Sequence, residues 1–247
     1  MTDAASLPEA PALTQTERVV DAFIAPSKSF NDIFRSTSWW LPFVLLVLAT
    51  MGSCFAMDKK VGFDSIAEHQ MTKNSAAAEQ LQQLPPDQRA ARLHASAKFT
   101  RAFTYGAAVP FLIIIALEAL VLWGCFNFGL GAKTTFGQVF AVIMYAGLPR
   151  LFISLLTIVL LFAGVGTDGF DIQNPVGTNI GYFLQDSSAA IKAAGAFFDV
   201  FGLWSLALLV LGMSIISRKS IGQAAAIVVG WWVLFLLIFT GIAAAFS

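Results

Sequence analysis

The sequence predicts an all-α polytopic membrane protein. It is read as a bundle of five transmembrane helices, with amphipathic helices at the N-terminus and a helical polar excursion between spans 1 and 2. Three observations carry this. Five apolar stretches are each long enough for a hydrocarbon core of about 30 Å, which takes roughly 20 helical residues. Of the 247 residues, 57% are hydrophobic and 12% charged, whereas a soluble domain carries about a quarter charged to hold its surface in water. Mean hydropathy is +0.73, and the 23 phenylalanines and 6 tryptophans suit lipid-facing and interfacial positions.

The formal net charge is zero, so nothing draws the chain electrostatically to nucleic acid, and none is expected as a partner. Cys54 and Cys125 lie within apolar stretches and read as small packing residues. His69 and His94 stand far apart in a polar segment with no cysteine near them. No metal-ligand spacing is present, and no metal or cofactor is expected.

In chain order, residues 1–13 are rich in Ala, Pro and acidic side chains and read as disordered. They hold no basic residue and no apolar core, so they are not a signal peptide, and insertion falls to the first span. Thr14 and Glu17 have capping-box spacing. Val19, Val20, Phe23 and Ile24 then recur at helical spacing, and Phe30, Ile33 and Phe34 mark a second short helix after Pro26. Two such helices either lie along the membrane interface or pack on the bundle.

Span 1 covers about 39–57, opened by Trp39 and Trp40 and closed by Asp58, Lys59 and Lys60. The polar section 58–101 has helical composition broken at Pro85 and Pro86. Spans 2 and 3 cover about 102–129 and 136–165, and their short link makes them an antiparallel pair. Pro149 removes a backbone hydrogen bond in the middle of span 3 and predicts a kink. After a polar loop (166–192), spans 4 and 5 cover about 193–216 and 221–246. Lys133, Arg218 and Lys219 fall on the same side as Arg18, Lys28 and Arg35. That places the N-terminus in the cytoplasm by the positive-inside rule. The basic residues of 58–101 run against it.

Charges within spans are expensive, roughly 2.5–3.5 kcal/mol each on the insertion scale. Three call for an account: Glu118 in span 2, Arg150 in span 3 and Asp199 early in span 4. Counted from the short link, Glu118 and Arg150 differ in depth by only about 5 Å. They are expected to face each other inside the bundle, with Asp199 a competing partner nearer the opposite surface. An ion or proton path is the functional reading. A buried structural cluster is preferred, because no repeat or matched pair of broken helices is present. An enzyme is not expected: no histidine lies in a span, and HExxH and GxSxG are absent. Gly124, Gly129, Gly202 and Gly212 are candidate sites of close helix approach.

The segment RVVDAFIAPSKSF (Arg18 to Phe30) ahead of WWLP resembles the opening of the Yip family, membrane proteins named for interaction with Ypt/Rab GTPases. FGQVFAVIMYAGLP, ending at Pro149, resembles that family's central helix. DIQNPVGTNIG (Asp171 to Gly181) is similar to a loop of its bacterial members, and FDVFGLW (Phe198 to Trp204) to the start of its fourth helix. The resemblance implies a five-helix Yip-type domain over 14–247 with a cytosolic N-terminus, here in a bacterial cytoplasmic membrane. Eukaryotic members are linked to vesicle trafficking and prenylated GTPases; the bacterial branch lacks that partner. Arg150 departs from the pattern, and no catalytic residue carries over. The expected function is a non-enzymatic interaction or membrane-organising component, in contact with lipid and with other membrane proteins or copies of itself. The alternative is a small transporter or channel using Glu118, Arg150 and Asp199.

Overall fold

The computed structural model describes residues 12–73, 75–184 and 186–245. The expected disorder of residues 1–11 and the last residue of span 5, Phe246, fall outside the described residues. Among those described, Leu13 is already engaged, its carbonyl accepting from Arg35 at 3.0 Å.

The described residues form helices joined by turns and loops, with one isolated bridge between Asn179 and Asp199. Two short helices come first, α1 (Gln15–Ile24) and α2 (Pro26–Asp32). The capping box at α1 is formed: Glu17 receives the Thr14 amide at 2.8 Å, and Thr14 Oγ1 receives the Glu17 amide at 3.2 Å. Span 1 is α3 (Trp40–Lys60). The polar excursion is α4 (Phe63–Lys73), α5 (Ser75–Gln82) and α6 (Pro86–Tyr105). Span 2 is α7 (Ala108–Gly124), continued by a π-helical turn over Cys125–Gly129. Span 3 is α8 (Phe136–Ala146), a 3-10 turn at Leu148–Arg150, then α9 (Leu151–Phe162). A short helix α10 (Ala189–Ala196) precedes span 4, α11 (Val200–Ser217), and span 5, α12 (Ile221–Ala245).

Among the described residues five helices are long and apolar enough to cross a membrane, and the molecule is an all-α polytopic membrane protein. Span 3 is its axis, with 56% of its apolar window buried, while span 5 is the most peripheral at 6%. Every residue from Val139 to Ala146 is buried. Pro149 produces the predicted kink as a 3-10 turn, the tighter winding that accommodates a missing N–H.

Two boundaries differ from the expected ones. Span 2 starts at Ala108 rather than 102, because Gly106 and Pro110 interrupt the helix. Pro110 cannot donate to the carbonyl four residues back, so residues 102–105 finish the polar helix α6. Span 4 starts at Val200 rather than 193. Asp199 caps α11 by accepting the Gly202 amide at 2.8 Å, and such a cap requires non-helical backbone. The apolar run before it is therefore the separate helix α10, packed on α12, with Phe197 and Phe198 edge-on to Trp232.

The polar excursion docks on the end of the bundle opposite α1 and α2. Phe63, Ile66 and Ala67 of α4 are buried with Met57, Leu161 and Phe170. Arg101 pairs with Asp58 and Lys73 with Asp171, each at 2.8 Å.

A re-entrant polar hairpin and the mid-span charges

Pro26 opens α2 directly behind α1, so the two helices fold back on each other as a hairpin. Ring contacts give its depth. Phe30 lies at the level of Gly212 and Val142: a Cβ built on Gly212 would stand 2.6 Å from Val142 and 3.1 Å from Phe30. Phe23, near the tip, packs edge-on against Phe152 and Trp204, each at 5.8 Å between centroids. Phe152 follows Phe136 by about 16 residues, or roughly 24 Å of helix. The hairpin is thus re-entrant, reaching the middle of span 3 beside α11 instead of lying flat on the interface.

Val19 and Phe23, two of the four apolar residues that recur at helical spacing in α1, pack against the core, and the other two, Val20 and Ile24, do not. The buried residues of α1 are Arg18, Asp21 and Ala22, while Val20 is 48% and Ile24 75% exposed. The physical reason is the solvent. Arg18 and Asp21 turn inwards to partners while Val20 and Ile24 face outwards to lipid, and Glu17 and Lys28 stay exposed.

Arg18, fully buried, is the hub. Its Nε stands 3.3 Å from Asp32, and its terminal nitrogens donate to the Ser36 and Ser38 carbonyls at 2.7 and 3.4 Å. The guanidinium lies 4.8 Å over the Tyr145 ring, and the Tyr145 hydroxyl sits 3.1 Å from Gln15 and 3.2 Å from the Ser38 carbonyl. Asp21 pairs with Lys28 at 2.9 Å, and Asp32 also with Arg35 at 2.9 Å. Ser29 Oγ donates to the Arg18 carbonyl at 2.9 Å, tying α2 to α1. Planar, multi-donor Arg18 suits this role, since a lysine reaches only one such site at a time.

The three charges singled out in the spans do not form one cluster. Glu118 is half-buried on α7 and Arg150 ends the 3-10 turn on the exposed side. Among the described residues no ion pair or hydrogen bond joins them. Arg150 therefore faces outwards and not, as expected, into the bundle: the 3-10 turn rotates it away from the packed face of α8. Asp199 is engaged elsewhere, as the α11 cap and as acceptor for Thr178 Oγ1. The Val200 amide donates to the Thr178 carbonyl at 3.0 Å, which pins the loop to the start of span 4. Two shallow concavities, about 290 and 390 Å³, lie on the polar excursion, one beside His69 and the other beside Phe99 and Phe103.

Sequence reasoning missed the Arg18 network. Its signal was available: Arg18 and Asp21 stand three apart beside the apolar residues Val19, Val20, Ala22, Phe23 and Ile24, and are followed by Lys28 and Asp32.

A Yip1 domain family model matches residues 20–242, nearly the whole chain. The chain belongs to the Yip1 domain family. No curated protein and no solved structure was found to match it. The match begins within α1 and ends within α12, so the re-entrant hairpin and all five spans of this Yip1-family chain fall inside it or straddle its edge.

Proposed function

We propose that this Yip1-family protein is a non-enzymatic membrane-organising component of a bacterial cytoplasmic membrane, with its N-terminus in the cytoplasm. The observation that carries the reading is a mismatch in span length. Span 4 has 18 residues, against 27 in span 3 and 25 in span 5, or roughly 27 Å against 40 and 37 Å. Polar groups close it at both ends, the Asp199–Thr178 pair at one and Arg218 at the other. The α1–α2 hairpin reaches towards its middle, and α10 packs on the neighbouring α12 at its Asp199 end. A short span flanked by polar groups favours thin bilayer around it. The protein thereby sorts to, or creates, thin membrane and recruits neighbours there. The basic residues Arg35, Lys133, Arg218 and Lys219, at the end from which the hairpin enters, support the orientation. The likeness of Asp171 to Gly181 to the loop of bacterial members supports the localisation.

The transport alternative requires Glu118, Arg150 and Asp199 on one wet path. Asp199 is occupied as a helix cap and Arg150 faces outwards, which favours the organising reading. Ion and solute flux in proteoliposomes separates the two. No flux in the parent and in Glu118→Gln is the expected result. Flux that Glu118→Gln abolishes overturns the reading.

A further inference from the structure

The end of α6 runs alongside the end of span 1. Arg101 meets Asp58 at 2.8 Å, and Cys54 Sγ lies 3.7 Å from the Thr104 carbonyl. Span 1 ends at Lys60, so Phe103 stands level with its last apolar residues and Phe99, one turn earlier, about 6 Å further out. Phe99 and Phe103 are 72% and 60% exposed and stack at 6.1 Å between centroids. The shallow concavity that they line with Ala107 and Ile172 lies at the same level. Two cations stand there too. Lys60 Nζ lies 4.9 Å over the ring of Phe162, which ends α9, and Lys59 Nζ 5.9 Å over Phe55. Both lysines are exposed, and Asp58, next to them in the chain, is taken up by Arg101. A ring holds an ammonium on one side and leaves its N–H groups free on the other. The boundary of hydrocarbon and water thus carries exposed rings below and two free cations at its edge.

We propose that this rim binds anionic phospholipid, with Lys59 and Lys60 on the headgroup phosphate and Phe99 and Phe103 seated among the acyl chains. Charge complementarity selects the lipid: a zwitterionic headgroup brings its own cation to the same place and gains less from the lysines. The apolar part of the contact is shared by both kinds of lipid, since an exposed ring at this depth is removed from water by any acyl chain. Lys59 and Lys60, which run against the positive-inside rule at this end, then serve to hold lipid and not to set orientation.

The test uses the full chain in phosphatidylcholine vesicles, with Cys54→Ala, Cys125→Ala and a fluorophore attached through Ala102→Cys, beside the Arg101–Asp58 pair. Quenching is compared between phosphatidylglycerol and phosphatidylcholine that carry the same nitroxide near the top of one chain. The charged lipid is expected to quench about threefold or more better at equal mole fraction. Lys59→Gln with Lys60→Gln is expected to bring the ratio close to one. Lys59→Arg with Lys60→Arg is expected to keep it, which serves as the folding control. Phe99→Ser with Phe103→Ser is expected to lower quenching by both lipids at least twofold and leave their ratio. Lys133→Gln with Lys219→Gln, at the opposite end, is expected to change nothing. Quenching by neither lipid, a parent ratio near one, or a ratio that survives the loss of Lys59 and Lys60 overturns the proposal. So does an equal fall in the Lys133 and Lys219 variant, which marks bulk charge in place of a site.

Discussion

Arg18 and Tyr145 meet on one carbonyl. The guanidinium lies 4.8 Å over the phenol ring, and both side chains reach the carbonyl oxygen of Ser38, at 3.4 and 3.2 Å. This couples the N-terminal hairpin, the entry to span 1 and the centre of span 3 in a single network. Its loss frees the hairpin. Arg18→Met is expected to cost about 3 kcal/mol by leaving Asp32 and two carbonyls under-satisfied. Arg18→Lys loses less, because it keeps the charge but not the fork. Tyr145→Phe costs about 1 kcal/mol. Thermal unfolding in detergent checks the order, and trypsin cleavage at Lys28 and Arg35 reports release of the hairpin.

Gly212 is required for docking. The atoms around it leave no room for a side chain, with Val142 at 2.6 Å from a built Cβ. Gly212→Leu is expected to destabilise by about 1–3 kcal/mol through overpacking and to raise trypsin access at Lys28. Gly230→Ala on the peripheral span 5, with nothing within 4 Å, is expected to stay within about 0.5 kcal/mol.

The opposite end carries an acid-sensitive clamp. Burial alone would raise the Asp171 carboxyl, but Lys73, the Gln173 amide and Asn174 outweigh it and hold the pKa below the usual range. The folded value being lower than the unfolded one, about 3.9, the clamp contributes fully above about pH 4. It is lost as pH falls through the folded value. Spin labels on α4 and on the 166–184 loop are expected to separate at strongly acidic pH, and Asp171→Asn to separate them at neutral pH.

Asp199 acts as a cap, so its removal is local. Asp199→Ala is expected to cost about 1 kcal/mol and to speed hydrogen exchange at Val200 and Gly202, leaving exchange in α8 unchanged. Altered exchange in α8 contradicts a capping role.

Span count, the Pro149 kink and the α1 capping box were legible in the sequence, because apolar run length, a missing donor and cap spacing are local properties. Spans 2 and 4 began later than their apolar runs suggest. Hydropathy does not register Pro110 inside a first turn, and Asp199 counted as a buried charge before its Gly202 and Thr178 partners were visible. The placement of α1 was left open between interface and bundle, because helical periodicity assigns two faces but not which one meets lipid. Glu118 and Arg150 were found from depth alone, but the outward turn of Arg150 depends on three residues of 3-10 winding.

The thin-bilayer account is tested most directly by partitioning. The labelled protein is reconstituted into phase-separated bilayers of short- and long-chain lipid, beside a variant carrying one extra turn of leucines in the exposed part of α11. The account predicts that the parent concentrates in the thin phase and that the lengthened variant shifts towards the thick one. Equal partitioning of both contradicts it.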